Sequence, residues 1–235
     1  MNLVLLEPSD FIDGRRVRLG GRRLTHVLQV HRAAEGDTLR VGLVDGKIGK
    51  GVIEQIDDTA VQIMVDLDTD PPAPLPVRLI LALPRPKVLN RTIAAAASMG
   101  IREIDVINAW RVEKAYWTSP RLSDENLKLQ SILGLEQAGD TILPSIRLHK
   151  LFKPFVRDQL PAELSGKLAL LSNPGAHGEA PRRITGPVVL AIGPEGGFID
   201  REVETFRDIG FKEVSLGYRI LRVETALAFL MGRLF

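Results

Sequence analysis

Two segments near the end of the chain combine glycine, apolar and charged residues in an order that suits a small-molecule pocket. The first is an apolar run that leads into Gly193-Pro-Glu-Gly-Gly197. Glycine at the end of a strand allows the backbone to approach a ligand closely. The second, residues 216–226, places Ile220 and Leu221 between two arginines. Apolar residues in a loop must either pack into the core or cover something, so this pair could form the floor of a pocket.

Neither segment has the pattern of a phosphate-binding loop. No Gly-Lys-Ser/Thr follows the glycines, and the dinucleotide pattern GxGxxG is absent. The negative charge of Glu195 would also repel a polyphosphate. We therefore expect a ligand that is not bound through phosphate groups.

Taken together, the two segments resemble the ribosomal RNA small subunit methyltransferase E family, which methylates N3 of a uridine in 16S ribosomal RNA. The matching residues are Gly193-Pro-Glu-Gly-Gly197 and Leu216-Gly-x-Arg-Ile-Leu-Arg-x-Glu-Thr-Ala226, and a looser similarity extends over the whole chain. The resemblance implies a small PUA-like β-barrel followed by an α/β domain of the SPOUT type. In that domain a parallel sheet precedes a C-terminal segment threaded into a trefoil knot, a rare exception to unknotted connections.

The resemblance further implies that S-adenosylmethionine is the cofactor, that RNA is the partner and that a second subunit completes the site in a homodimer. Backbone amides and carbonyls would hold the adenine edge while apolar side chains cover its faces. The residues expected to bind the cofactor are Leu171, Ser172, Ile192, Gly193, Glu195, Gly196, Gly197, Leu216, Gly217, Ile220, Leu221, Thr225 and Ala226.

Methylation of a uracil nitrogen requires a proton acceptor and a cation near the developing charge. We expect Arg222 to be the cation that stabilises O2 or O4 of the base. Glu195 is the weaker candidate for the base, because it could equally accept hydrogen bonds from backbone amides of its own loop.

The elements that must position these residues fall into two groups. Short strands are predicted at residues 3–6, 38–44, 51–56 and 60–65, with one helix at 24–32, which favours a small barrel. Prolines in residues 68–76 favour a linker, so we place the domains at 1–72 and 73–235. After the linker, predicted strands alternate with predicted helices, which favours a mostly parallel sheet covered by helices on both faces. The predicted strands are 77–83, 101–107, 167–171, 188–192 and 213–216, and the helices are 89–99, 123–138, 201–209 and 225–234.

Charge is unevenly distributed although the whole chain carries only +2. Residues 1–72 hold nine basic and twelve acidic residues, yet residues 14–34 contain no acid. Such a segregated basic segment can contact RNA phosphates, and the alternative is a solvated arginine-rich loop. The residues expected to bind RNA are Arg15, Arg16, Arg18, Arg22, Arg23 and Arg32.

Composition excludes several other classes of protein. With 45% hydrophobic and 26% charged residues, the chain has the composition of a globular protein. It has no cysteine, and its four histidines (His26, His31, His149 and His177) are scattered, so we expect no metal site. No apolar run is long enough to span a bilayer and the start does not have the pattern of a signal peptide, so we expect a cytoplasmic protein.

Three positions depart from the family pattern. Ser98 stands in place of a carboxylate, and Asp140 in place of an arginine. Ile199 stands where a Ser or Thr cap is usual, which leaves Asp200 as the expected cap. The cofactor motifs are intact and the substrate side is altered. Two alternatives therefore stay open: a SPOUT methyltransferase with another RNA target, and a non-catalytic RNA-binding protein that retains the fold.

Overall fold

The structure is a computed structural model that describes residues 3–235. The chain forms two compact units. The first contains the chain up to Ala73 together with Leu135–Leu143, and the second contains Pro74–Gly134 and Pro144–Phe235. Residues 135–143, which lie far along the chain, thus belong with the N-terminal unit, a feature that the sequence analysis did not predict.

The first unit is a curled five-stranded sheet, consistent with a small barrel, in the order β1-β3-β4-β5-β2. All neighbouring pairs are antiparallel except β1 and β3. One face of the strands supplies a core that includes Val17, Val41, Ile53 and Ile63, all almost fully buried. The strands are β1 (Val4–Leu6), β2 (Arg16–Leu19), β3 (Thr38–Leu43), β4 (Ile48–Ile56) and β5 (Val61–Thr69).

The arginine-rich segment is structured rather than a loop. Its first part forms β2, in which Val17 and Leu19 point inward while Arg16 and Arg18 stay exposed, the alternation of a half-buried strand. The predicted helix begins earlier than expected, as α1 (Gly21–His26), and continues as a wider π-type turn over Val27–His31. The arginines therefore sit on a folded scaffold.

The second unit is built on six strands that are all parallel, in the order β11-β9-β10-β6-β7-β8. The central strands β6 and β10 are buried along their entire length, as expected for a parallel sheet covered on both faces. The strands are β6 (Val77–Ala82), β7 (Glu103–Ile107), β8 (Ser145–His149), β9 (Leu168–Ser172), β10 (Val188–Ile192) and β11 (Lys212–Val214). This confirms the predicted α/β class, whereas β8 was missed and β11 ends earlier than predicted.

Four helices belong mainly to this unit: α2 (Pro86–Ser98), α3 (Asp124–Ala138), α4 (Asp200–Asp208) and α5 (Val223–Leu234). Ser123 caps α3, since its Oγ accepts the Asn126 N–H at 3.3 Å. Gly134 of α3 allows the two helices to approach closely, because a Cβ there would overlap the Ala94 carbonyl and crowd the Ala97 side chain. The small residues before Ser98 thus serve helix packing.

The cap of α4 differs from the prediction. Glu202, not Asp200, folds back so that its Oε2 accepts the Ile199 N–H at 3.1 Å. The third residue of a helix commonly does this in a capping box. The apolar residue at position 199 is therefore compensated from within the helix.

A buried ion network lies on β6 and β7. Arg78 Nε is 2.6 Å from Asp105 Oδ2, and Arg78 also pairs with Glu163. Arg147 and His149 of β8 bring nitrogens to 2.9 and 2.7 Å of Asp105 Oδ1. Burial raises the pKa of Asp105, but the hydrogen bonds from Arg78 and His149 outweigh it, and the net pKa lies below its usual value. The network joins three adjacent strands.

Across residues 3–235, no helix is long and apolar enough to cross a membrane. The trefoil knot expected for the C-terminal segment stays a prediction.

Candidate active site

The carboxyl ends of β9, β10 and β11 lie at one edge of the parallel sheet, where ligands of such sheets bind. The loops that follow these strands surround a cavity of about 290 Å³ in the second unit. Both segments singled out in the sequence line it, together with the start of α5. The cavity is therefore the candidate active site.

The glycine loop after β10 forms one wall. A Cβ on Gly193 would lie 3.2 Å from the Phe198 ring, and Gly197 has a φ of +73° that disfavours other residues. Glu195 Oε1 accepts the Arg85 N–H at 2.9 Å, just before α2. The carboxylate thus bonds to an amide of another loop, which corrects the expectation that its alternative role would lie within its own loop.

The segment after β11 forms the opposite wall. Ser215 Oγ accepts the Gly217 N–H at 3.1 Å, and Gly217 adopts a φ of +107°. The chain then turns so that Ile220, 80% exposed, and Leu221 line the cavity. An exposed isoleucine on a pocket wall leaves apolar surface available to a ligand.

Most of the residues expected to bind the cofactor are brought together in this cavity. They are Ser172, Ile192, Gly193, Glu195, Gly196, Gly197, Leu216, Gly217, Ile220, Leu221 and Ala226. Two are placed differently. Leu171 is fully buried within β9, and Thr225 is exposed on α5 away from the lining.

The two expected catalytic residues differ in their surroundings. Glu195 lines the cavity, whereas Arg222 does not and instead occupies the position just before α5. Its exposed guanidinium makes no ion pair with any residue from 3 to 235. Glu224, two residues on, is 3.0 Å from Arg91 of α2, which ties the first turn of α5 to that helix. Arg222 is thus an unpaired cation at a fixed helix start.

Several residues that line the cavity were not predicted from the sequence. The most informative is Arg111, which follows β7 and donates a hydrogen bond to the Gly196 carbonyl. Its position after a parallel strand was the available signal, because all such loops meet at one edge. The other missed residues are Asn173, Pro174, Pro194, Phe198, Arg219 and Val223.

The six arginines of the basic segment fall into three groups in the first unit. Arg22 donates two hydrogen bonds to Glu136, and Arg23 pairs with Asp10, both carboxylates being buried. Arg15 and Arg16 make more exposed pairs with Asp66, Asp13 and Glu54. Arg18 and Arg32 are exposed. Arg22 and Arg23 therefore hold the unit together, which the sequence analysis did not anticipate.

Asp140 is also structural. It is 4% exposed, and its Oδ1 accepts the N–H groups of Thr141 and Ile142 at 2.6 and 3.2 Å. An aspartate that closes a turn in this way is a common alternative to regular structure. The charge reversal noted in the sequence is thus buried in a turn.

A metal centre finds no support in the region of the chain that the structure covers, residues 3–235, where no three His, Asp or Glu side chains converge on one point.

Comparisons with known proteins agree with this architecture. The family model of the RNA methyltransferase domain matches residues 71–234. Ribosomal RNA small subunit methyltransferase E of Treponema pallidum (strain Nichols) is 29% identical over 232 residues, which cover 96% of this chain and 87% of that protein. Ribosomal RNA small subunit methyltransferase E 1 of Borreliella burgdorferi is 24% identical over 226 residues, with 96% and 94% covered.

A solved structure shows the same fold. The ribosomal RNA small subunit methyltransferase E of Neisseria gonorrhoeae, bound to S-adenosyl methionine, aligns with a TM-score of 0.74 at 23% identity and covers 98% of this chain and 95% of that one. The family model spans most of the chain and includes every residue of the candidate site. The chain therefore belongs to the RNA methyltransferase family, in its ribosomal RNA small subunit methyltransferase E branch.

Proposed function

We propose that this chain transfers the methyl group of S-adenosylmethionine to N3 of a uridine in 16S ribosomal RNA. The observation that carries the proposal is the cavity at the carboxyl edge of the parallel sheet, lined by both motif segments at once. Membership of the family supplies the reaction class.

The residues around the cavity fit the cofactor. Leu216, Ile220 and Leu221 offer apolar surface to a flat ring, and the glycine loop offers backbone groups to its polar edge. When bound, the cofactor supplies an electrophilic methyl group on a positively charged sulfur. The cavity is also lined by Arg111 and Arg219, whereas Glu195 is the one carboxylate among the lining residues.

The remaining chemistry belongs to the protein. As N3 forms its bond to the methyl carbon, the carbon–sulfur bond breaks with its electron pair on sulfur, and the N3 proton must leave. Glu195 accepts that proton, and Arg222 stabilises the negative charge that develops on O2 or O4 of the uracil. Because Arg222 is exposed beside the start of α5, its guanidinium is available to a bound base.

The first unit binds RNA through its exposed arginines. Arg15, Arg18 and Arg32 are the members of the basic segment that support this role, because Arg22 and Arg23 are engaged by buried carboxylates and Arg16 pairs with both Asp13 and Glu54. Guanidinium groups pair well with phosphate oxygens.

The chain acts as a homodimer, as the resemblance to the family implies. The apolar surface of α5 supports this, since Phe229 is 51% exposed and lies beside Phe235 around a second cavity. A ribosomal RNA substrate supports a cytoplasmic location, which we include in the proposal. Light scattering of the purified protein should give twice the chain mass, and Phe229→Asp should give the mass of one chain.

Calorimetric titration with S-adenosylmethionine tests the cofactor site. Wild type should bind one molecule per chain. Ile220→Asp should weaken binding about tenfold, because it places a charge on the apolar wall. The matched control is Leu151→Asp, which changes an exposed leucine outside the cavity and should bind like wild type. Absence of binding by wild type at millimolar cofactor would contradict the proposal.

The alternative of a different RNA target is decided by the nucleosides of 16S ribosomal RNA from a strain that lacks the protein. Loss of N3-methyluridine, restored by the wild-type gene, is the expected result. Persistence of that nucleoside would assign the activity to another RNA.

A further inference from the structure

Trp110 is an exposed aromatic residue on a fixed backbone. Its side chain is 79% exposed. The backbone N–H of Trp110 donates a hydrogen bond to Glu202 Oε1 at 2.7 Å. Glu202 is itself buried, and its other carboxylate oxygen accepts the Ile199 N–H. The Val112 N–H donates to the Ala109 carbonyl across the same turn. The loop is thus held in place while the indole ring remains open to solvent.

Trp110 stands directly beside the candidate active site. The next residue, Arg111, lines the cavity and donates to the Gly196 carbonyl. Adjacent Cα atoms are about 3.8 Å apart. Trp110 is therefore one residue away from the pocket lining, of which it is not itself a part.

The loop that carries this tryptophan is basic in composition. Residues 108–122 contain Arg111, Lys114 and Arg121 against one acid, Glu113. That carboxylate accepts the Tyr116 hydroxyl at 2.9 Å. The charge of the loop therefore complements a phosphate backbone, which distinguishes it from an apolar surface for another protein.

The other tryptophan of the chain shows the contrast. Trp117 is half-buried, packs against the core of the second unit and donates its Nε1 hydrogen to Asn108 Oδ1 at 3.0 Å. Its role is structural. Trp110, seven residues earlier, has its aromatic face available instead.

We infer that Trp110 stacks on an unpaired base of the RNA substrate, the target uridine or its neighbour, and so positions the target at the methyl-donor pocket. Proteins bind single-stranded RNA by combining aromatic faces with nearby cations, and the stacking is tolerant of sequence. This inference rests on the proposed function and identifies the chemistry of its substrate contact.

Fluorescence tests the contact without requiring catalysis. Trp117→Phe leaves Trp110 as the single tryptophan, and titration with a short single-stranded RNA oligonucleotide containing uridine should quench its emission to saturation. Trp110→Phe leaves Trp117 alone and should show little quenching. An abasic oligonucleotide of equal charge should not quench Trp110. Equal quenching by both oligonucleotides, or none by either, would overturn the inference.

Kinetics supply the second arm. Trp110→Ala should raise KM for RNA about tenfold, leave the calorimetric affinity for S-adenosylmethionine unchanged and be rescued by Trp110→Phe. An unchanged KM would overturn the inference, as would a change in oligomeric mass with RNA affinity intact, which would assign the ring to a protein contact. If wild type transfers no methyl group but Trp110 is quenched by the base-containing oligonucleotide, the proposed function fails and the stacking contact stands.

Discussion

Arg222 and Glu195 lie in segments that are held in different ways. The start of α5, just after Arg222, is tied to α2 through Glu224 and Arg91, so Arg222 can be changed without removing that contact. The Glu195 loop is tied to the Arg85 amide by the Glu195 carboxylate itself. A test of Glu195 therefore needs a substitution that keeps an acceptor oxygen at this position.

Arg222→Ala should lower kcat at least 100-fold, because it removes the cation that we propose stabilises the developing charge on the uracil. The affinity for S-adenosylmethionine should stay within about twofold, since the guanidinium does not line the cavity. Single-turnover methyl transfer and calorimetry provide the two measurements. Equal loss of turnover and cofactor affinity would give Arg222 a structural role.

Glu195→Gln separates proton transfer from loop structure. The amide oxygen of glutamine can still accept the Arg85 N–H, so the midpoint of thermal unfolding should change little. Loss of the proton acceptor should lower turnover by 100-fold or more. Turnover close to that of wild type would leave Glu195 as an acceptor for the Arg85 amide alone.

Among individual residues, the glycines of the pocket loops were the easiest to predict from the sequence, because glycine allows the backbone to approach a ligand closely. Gly193, Gly197 and Gly217 could be placed at the pocket from their types and spacing. Arg111 could not, because its contact with Gly196 joins residues that are 85 positions apart. Leu171 was expected at the pocket, where the predicted strand ends. The strand instead continues through Ser172, and Leu171 is buried within it.

At the level of elements, the buried network around Asp105 joins β6, β7 and β8 below the active-site edge. Asp105→Asn should lower the free energy of unfolding by about 3–5 kcal/mol, because it leaves Arg78 buried without its full countercharge. Urea unfolding at neutral pH measures this difference. The exposed pair of Arg15 with Asp66 provides the comparison, since Asp66→Asn should cost less than 1 kcal/mol.

The same network gives a pH dependence of defined sign. The pKa of Asp105 is lowered in the folded protein, because the hydrogen bonds from Arg78 and His149 outweigh the effect of burial. Its contribution to stability is present above the unfolded pKa of about 3.9 and is lost as the pH falls through the folded value. Urea midpoints should therefore fall less steeply below pH 4 for Asp105→Asn than for wild type. Parallel pH profiles would contradict this assignment.

Elements with a clear hydrophobic period could be predicted, and the interior strand β10 has the predicted bounds. The strands β2 and β8 were missed for a shared reason. Both are edge strands with exposed arginines, so only part of each is apolar. Tertiary pairing with β5 and β7 decides their conformation.

On the scale of the whole molecule, we propose that the basic segment divides its arginines between stabilising the fold and binding RNA. Replacing Arg15, Arg18 and Arg32 with glutamate should weaken RNA binding and flatten its dependence on salt, because fewer counterions are released. The affinity for S-adenosylmethionine should not change. Filter binding across a salt series measures the RNA affinity and its dependence on salt. Unchanged RNA affinity would favour the alternative that these arginines only form a solvated surface.

Arg23→Ala is the matched variant with the opposite result. It removes the partner of the buried Asp10, so it should destabilise the protein by about 3 kcal/mol. RNA affinity per folded molecule should be retained. A variant as stable as wild type would contradict the structural assignment of Arg23.

A division of the chain into two units could be anticipated, because short strands give way to alternating strands and helices near the prolines. Which residues belong to each unit could not be predicted. Residues 135–143 belong with the first unit, and Glu136 supplies the countercharge for Arg22, 114 positions away. No local pattern encodes such a partner. The apparent charge anomaly at Asp140 is likewise explained only by the turn in which it is buried.

The most direct test is methyl transfer in vitro, followed by analysis of the modified nucleoside. The purified protein, S-adenosylmethionine with an isotopically labelled methyl group, and small ribosomal subunits lacking the modification are incubated, and the digested 16S ribosomal RNA is analysed by mass spectrometry. We expect labelled N3-methyluridine with wild type and almost none with Arg222→Ala. Label on another nucleoside, or none with wild type that binds the cofactor, would contradict it.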